Sequence, residues 1–352
     1  MAALLDRVQQ EHESALVAAL QKEGHRRLVQ FLDGVRAYRH HPFQRPHTEF
    51  PVVWQEGTST LRRFGSGTPT LFIIPSLVNR ATILDLIPSR SFLSFLADEG
   101  LSGVFMDWDR PGPIETAFGL DEYVERLVRA YDTVKGAGKP LFVLGYCMGG
   151  NLAVALACFR RLRGLLCLAT PWDFHAEQKE QALRVAASGS ALQATVARAG
   201  GMPADVLQSF FVAPHPLGIL NKFRHFATLD PASPEAELFV ALEDWLNDGV
   251  TLVPRVADQV FRQWYGENRL AAGTWRIGGK FIRPERIRCP SLCALPSADR
   301  IVPPESAAAL AQRLSQCEKV APSAGHIGMM IGTRALNHLW RPLRDWLHRH
   351  TL

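Results

Sequence analysis

The chain has 352 residues, with 39 basic and 34 acidic side chains, a net charge of +5 and 47% hydrophobic residues. That length holds one large α/β domain or two average ones with a sizeable core, and the composition argues against disorder, collagen-like repeats and coiled coil. No apolar run reaches the roughly 18 residues of a transmembrane segment. The opening stretch, MAALLDRVQQEHESALVAAL, lacks the compact apolar block of a secretory signal. Basic and acidic residues are interspersed, so no nucleic-acid stripe is expected, while a mild basic excess suits an anionic ligand. The cysteines at 147, 158, 167, 289, 293 and 317 form no CxxC and no Cys/His zinc spacing, so no metal is expected. Five read as small buried hydrophobes of a reducing, cytoplasmic protein, and Cys147 stands apart.

Residues 1–50 read as a helical lead: Leu4, Leu5 and Val8, then Leu16, Ala19 and Leu20, keep a helical stripe. The tract RAYRHHPFQRPH (36–47) breaks it, and His40, His41 and His47 are read as loop histidines because no spacing aims them at one point. PVVW (51–54) and STLRRF (59–64) are short strands, and TLFIIP (70–75) is a buried one. The helix SFLSFLADEG (91–100) leads to the strand GVFMDW (103–108). A helix over 119–138 is expected to start at an Asp121 N-cap and to end near Gly136. PLFVLG (140–145), a helix from Met148 and GLLCLATP (164–171) continue the alternation, which predicts a mostly parallel sheet with helices on both faces.

Residues 174–273 break that rhythm. They read as a helical cap insertion with aromatic anchors at Phe210, Phe211, Trp245, Phe261 and Trp264. The core, 51–173, resumes over 274–352 with a Gly-Gly hairpin at 274–284, a strand at 289–296, a helix at 304–316, a strand at 317–322 and a last helix from about Arg334.

The chemistry concentrates in FVLGYCMGGNLAVALA (142–157), where a buried strand runs through Gly-Tyr-Cys-Met-Gly-Gly directly into a helix. This is the pattern of a nucleophile elbow, G-x-Nuc-x-G. Small residues at 145, 149 and 150 permit a sharp turn that lifts Cys147 over the strand end, at the positive end of a helix that favours a thiolate. An elbow needs an acid and then a histidine downstream, each on a loop after a late strand. Asp299 in PSADRIVPP and His326 in SAGHIGMMIG occupy those loops. Asp173 in TPWDFH, after the strand that follows the elbow, is the reserve acid. His215, His225, His338 and His348 fall in cap or helical contexts. The backbone N–H of Met148 is the first oxyanion donor, and that of Leu77 or Val78, in the loop after the first long strand, is the second. Asn79 is expected to pin that loop through side-chain hydrogen bonds.

Four stretches, PSLVNRATILDLIPSRSFLSFLADEGLSGVFMDWDRPG (75–112), GYCMGG (145–150), IGGKFIRPERIRCPSLCALPSADRIVPP (277–304) and SAGHIGMMIG (323–332), resemble the polyhydroxyalkanoate synthases of the α/β-hydrolase superfamily. TPWDFH and the length are similar to the short synthases that use a partner subunit. The resemblance implies an α/β-hydrolase fold with a helical cap. It also implies acyl transfer from 3-hydroxyacyl-CoA into polymer, with Cys147 carrying the acyl chain, His326 as base and Asp299 supporting it. Coenzyme A is then a leaving group and no cofactor is needed. A partner subunit or homodimer, and a place at the polymer granule, follow from the same resemblance. Two features depart from the family: Arg300 stands where a histidine usually follows the acid, and residues 1–50 do not match its N-terminal domain. Water as acceptor at the same site would make the chain a thioesterase or polyester depolymerase instead. Dienelactone hydrolases share a Gly-Tyr-Cys-x-Gly-Gly elbow but lack a large insertion between elbow and acid.

Overall fold

The computed structural model describes residues 13–212 and 217–351. Leu4, Leu5, Val8 and His215 therefore lie outside the described residues. The described chain divides into two compact units, one of residues up to 45 together with 212–244 and one of residues 46–211 with 245–352.

In the smaller unit, helix α1 (Glu13–Arg39) carries Phe31 and Tyr38 edge-on to Phe223, each at 5.9 Å between ring centroids. Gly34 lies so close to the Phe223 carbonyl that a Cβ would sit 1.9 Å from its oxygen. The first turns of α1 are not an apolar seam: Leu20 is 64% exposed.

The larger unit is built on an eight-stranded sheet. Its strands are β1 (Val52–Glu56), β2 (Ser59–Phe64), β3 (Leu71–Ile74), β4 (Gly103–Asp107), β5 (Phe142–Tyr146), β6 (Gly164–Leu168), β9 (Ser291–Ala294) and β10 (Cys317–Val320). Their order across the sheet is β1-β2-β4-β3-β5-β6-β9-β10. The β1–β2 and β2–β4 pairs are antiparallel and the remaining neighbours are parallel. β3, β5, β6 and β9 are buried along their whole length because helices cover both faces, which is why they read as unbroken apolar runs. The small hairpin β7 (Arg276–Ile277) and β8 (Lys280–Phe281) turns at Gly278 and Gly279, both at positive φ as a tight two-residue turn demands.

Helix α2 (Phe92–Asp98) precedes β4, and helix α3 (Leu120–Lys135), which follows it, corrects one expectation. Its N-cap is Gly119, and Glu122 reaches back to accept the Gly119 N–H at 2.6 Å. Asp121 instead accepts the N–H of Gly278, fastening the hairpin to the helix start. Helix α4 (Met148–Phe159) follows β5 after a single residue. Between β6 and β7 the described segments are helical: α5 (Lys179–Arg198), α6 (Ala204–Val212), α7 (Leu217–Phe226), α8 (Pro234–Asn247), α9 (Pro254–Asp258) and a π-helical stretch Gln259–Gly266. Within the larger unit, Trp264 packs on Phe174 at 5.8 Å and on Trp275 at 5.5 Å, tying this region to the sheet. No helix among the described residues is long and apolar enough to cross a membrane.

Candidate active site

Cys147 sits between the end of β5 and the start of α4 with φ +54° and ψ −126°. A non-glycine residue held there is strained, and the strain is sustained by its surroundings. The Cys147 N–H donates to the Leu168 carbonyl at 2.8 Å, and its carbonyl accepts from Gly150 at 2.9 Å. Gly149 lies against the end of β3: a Cβ there would stand 2.1 Å from the Ile74 carbonyl oxygen and 2.6 Å from that of Pro75. Both obstacles are backbone and cannot swing away. Gly149→Ala is therefore expected to destabilise the fold by roughly 1–3 kcal/mol, as overpacking does. Thermal unfolding checks it, with a lowered midpoint as the expected result.

Asp299 lies in the loop after β9 and is 5% exposed. Its Oδ1 accepts the N–H groups of Ile301 (2.8 Å) and Val302 (2.9 Å), which locks the carboxylate before any partner arrives. Its Oδ2 is 2.7 Å from Nδ1 of His326, which lies in the loop after β10 and is 8% exposed. With Nδ1 committed to Asp299, Nε2 is the nitrogen free for Cys147, whose thiol is the ring's other hydrogen-bond partner. Burial alone would lower the His326 pKa. The charge of Cys147, the hydrogen bond to Asp299 and that to Cys147 outweigh burial and raise it to about 10. The ring, held between Asp299 and Cys147, is thus a group that keeps its proton at neutral pH.

Two tyrosines complete the surroundings and escaped the sequence reading. The Tyr146 ring stacks on His326 with centroids 5.2 Å apart, and its hydroxyl donates to the His326 carbonyl at 3.2 Å. Burial, then the charges of Cys147 and Asp299, push the Tyr146 phenol well above its ordinary pKa, so it remains a donor. Tyr265, in the π-helical stretch, packs edge-on to Phe174 at 4.8 Å. Its pKa is also raised, by burial and by the charge of Cys147. The signal for Tyr146 was its place directly before the elbow cysteine. Nothing local in the sequence marks Tyr265.

The remaining sequence candidates separate. Asp173 is not the partner of His326: its Oδ1 accepts the N–H of His175 (2.9 Å) and Asn268 Nδ2 (2.8 Å), an anchor for the segment after β6. The Val78 N–H donates to Ser76 Oγ at 3.2 Å, and the Val78 carbonyl accepts from Val250 at 2.8 Å. Met148 opens α4, where the first N–H groups have no intrahelical acceptor. The expected anchoring by Asn79 is not found, because its Nδ2 is buried with no partner among the described residues. The loop is held from the far side instead, by Trp245 Nε1 on the Arg80 carbonyl (2.9 Å) and by Val250 on Val78. Arg300 is exposed. Among the described residues no group of three or more His, Cys, Asp or Glu side chains is arranged to hold a metal ion.

A mostly parallel sheet with Cys, Asp and His gathered beyond the carboxyl ends of β5, β9 and β10 is the architecture of an α/β hydrolase. Residues 79–335 match the alpha/beta hydrolase family, and the chain belongs to it. Within that family the chain is similar to the poly(3-hydroxyalkanoate) polymerase subunit PhaC of Haloferax mediterranei, 28% identical over 84% of this chain and 63% of that protein. It is also similar to the subunit of the same name from Synechocystis sp., 26% identical over 90% of this chain and 88% of that protein. Among solved structures, the monoacylglycerol lipase of Paleococcus ferrophilus aligns over 82% of this chain and 98% of its own, with a TM-score of 0.51 and 16% identity, a likeness of fold.

Proposed function

We propose that the chain is a polyhydroxyalkanoate synthase, an acyltransferase that polymerises 3-hydroxyacyl units from their coenzyme A thioesters through an acyl group carried on Cys147. The observation that carries this reading is the buried Asp299–His326 pair beside an elbow thiol, in a chain similar to poly(3-hydroxyalkanoate) polymerase subunits.

The Cys147 thiolate attacks the thioester carbonyl, and the oxyanion that forms is received by the Met148 N–H and, from the β3 loop, by the Leu77 N–H. The carbon–sulfur bond to coenzyme A breaks, and the departing thiolate takes the proton of His326. One thioester has replaced another, so this step is near thermoneutral. The neutral imidazole then removes the proton from the 3-hydroxyl of a second acyl unit, which attacks the Cys147 acyl carbon. An oxygen ester forms, the Cys147 thiolate is released and His326 is an imidazolium again. Asp299 keeps the ring oriented through both transfers, and Tyr146 limits its tilt.

Selectivity for a hydroxyl over water follows from an apolar cover. Residues 174–211 and 245–273, with Phe174, Phe261 and Tyr265 among them, supply that cover in the proposed reading. Work with a partner subunit and residence at the granule surface belong to the same proposal. Incubation of the full chain with 3-hydroxybutyryl-CoA tests it. Thiol release with methanol-precipitable polymer is the expected result. Thiol release with stoichiometric free 3-hydroxybutyrate would assign the site to hydrolysis, and no thiol release in the presence or absence of a partner subunit would end the reading.

A further inference from the structure

On the side of the sheet away from Cys147 lies a cavity of about 890 Å³. Its lining comes from three stretches that are distant in sequence. Lys139 precedes β5, Arg160, Arg161 and Arg163 precede β6, and Arg286 and Arg288 precede β9. β5, β6 and β9 are consecutive neighbours in the sheet, so these residues meet at its amino edge. The strand length alone, about five residues at roughly 3.3 Å each, separates this edge from the Cys147 edge by about 17 Å. The cavity is therefore distinct from the acyl-transfer site.

Six cationic side chains line it and no carboxylate does. Arg160 is paired with Asp132 at 2.6 Å, and Arg163 is held by the carbonyls of His350 and Thr351. Glu285, the acidic neighbour of Arg286, is committed to Arg313 at 2.7 Å. Lys139, Arg161, Arg286 and Arg288 make no ion pair among the described residues. The lining also holds two thiols, Cys158 and Cys289. Burial raises both, Cys289 to about 11, so they stay neutral and add no negative charge. Between the cations the floor is apolar, with Phe159, Leu162 and Ile287. Concentrated like charge in a concave site is costly unless an anion fills it, and it focuses the field on that anion. Guanidinium groups match phosphate oxygens two at a time. The volume is that of a small-molecule site rather than a docking face for a protein.

We propose that this cavity binds an organic polyphosphate of nucleotide size, its phosphates among Arg161, Arg286, Arg288 and Lys139 and its flat apolar part on the Phe159–Ile287 floor. The site would let the level of such a metabolite bear on the enzyme from the edge of the sheet opposite the chemistry.

Calorimetric titration of the full chain with ATP and, separately, with inorganic tripolyphosphate at 150 mM salt tests this. ATP is expected to bind, and the double variant Arg161→Glu, Arg288→Glu to weaken it at least tenfold. The variant's melting temperature should be unchanged, since both residues are exposed. The charge-keeping pair Arg161→Lys, Arg288→Lys should lose less. Tripolyphosphate binding tenfold or more below ATP supports the role of the floor, and equal binding overturns the organic part of the proposal. No heat at millimolar ATP, or undiminished binding by the Glu variant, overturns the site as a whole.

Discussion

Cys147→Ala is expected to lower acyl transfer by four orders of magnitude or more, to the background of the assay, while the protein still folds. In the proposed mechanism every later step runs through the thioester on that sulfur, which is why the expected loss is this large. The other thiols are poorly placed: Cys167 and Cys293 are buried inside β6 and β9, Cys158 and Cys289 lie at the opposite edge of the sheet, and Cys317 begins β10 at that same amino edge. Alanine adopts the φ of +54° no more easily than cysteine does, so the backbone strain of the elbow is unchanged by the substitution. Radiolabelled 3-hydroxybutyryl-CoA followed by acid quench reads the effect directly. Wild type should carry label on the peptide that spans the elbow, and the variant none. Label that persists on another cysteine would move the nucleophile.

The elbow was legible because it is local. β5, Cys147 and α4 are contiguous, and the two glycines after Met148 have no other reason to interrupt an apolar helix. Asp299 and His326 were legible for a different reason: each follows a short strand near the end of the chain, buried in β9 and partly exposed at the sheet's edge in β10, and a parallel sheet carries all such loops to one edge. What the sequence hid depends on contacts between distant segments. Asp173 satisfied the same loop criterion as Asp299, and only the packing of Asn268 and His175 around it shows it occupied elsewhere. Of the two candidates for the second oxyanion donor, Leu77 and Val78, the Val78 N–H is engaged by Ser76 Oγ, a contact that spacing does not reveal. Asp121 and Glu122 are both acidic at a helix start, and which one caps depends on the hairpin 157 residues away that draws Asp121 off. The basic cavity is the clearest case. Its residues fall in three short stretches distant in sequence, yet three neighbouring strand starts bring them side by side.

Asp299→Asn is expected to cost about two to four orders of magnitude in turnover, and Asp173→Asn to leave it within a few-fold of wild type. The amide cannot hold the His326 proton against the pull of burial, and it permits the wrong tautomer, with the proton on Nε2 facing the thiol. The proton itself gives a second reading. In the folded protein the His326 pKa stands near 10 against an ordinary value of 6.5, so the folded state binds this proton more tightly than the unfolded chain does. The stability it contributes is fully present below pH 6.5, declines as pH rises between 6.5 and about 10, and is gone above that. Asparagine removes one of the groups that raise the pKa, and burial, which lowers it, is left with less opposition. The titration midpoint of the His326 ring, followed by its Hε1 resonance, should therefore move down in Asp299→Asn, and the decline of stability with pH should begin and end earlier. The two effects belong together. A severe loss of turnover in Asp173→Asn with a mild one in Asp299→Asn would place the acid after β6, and an unmoved His326 midpoint in Asp299→Asn would mean that the 2.7 Å contact does not set the charge of the ring.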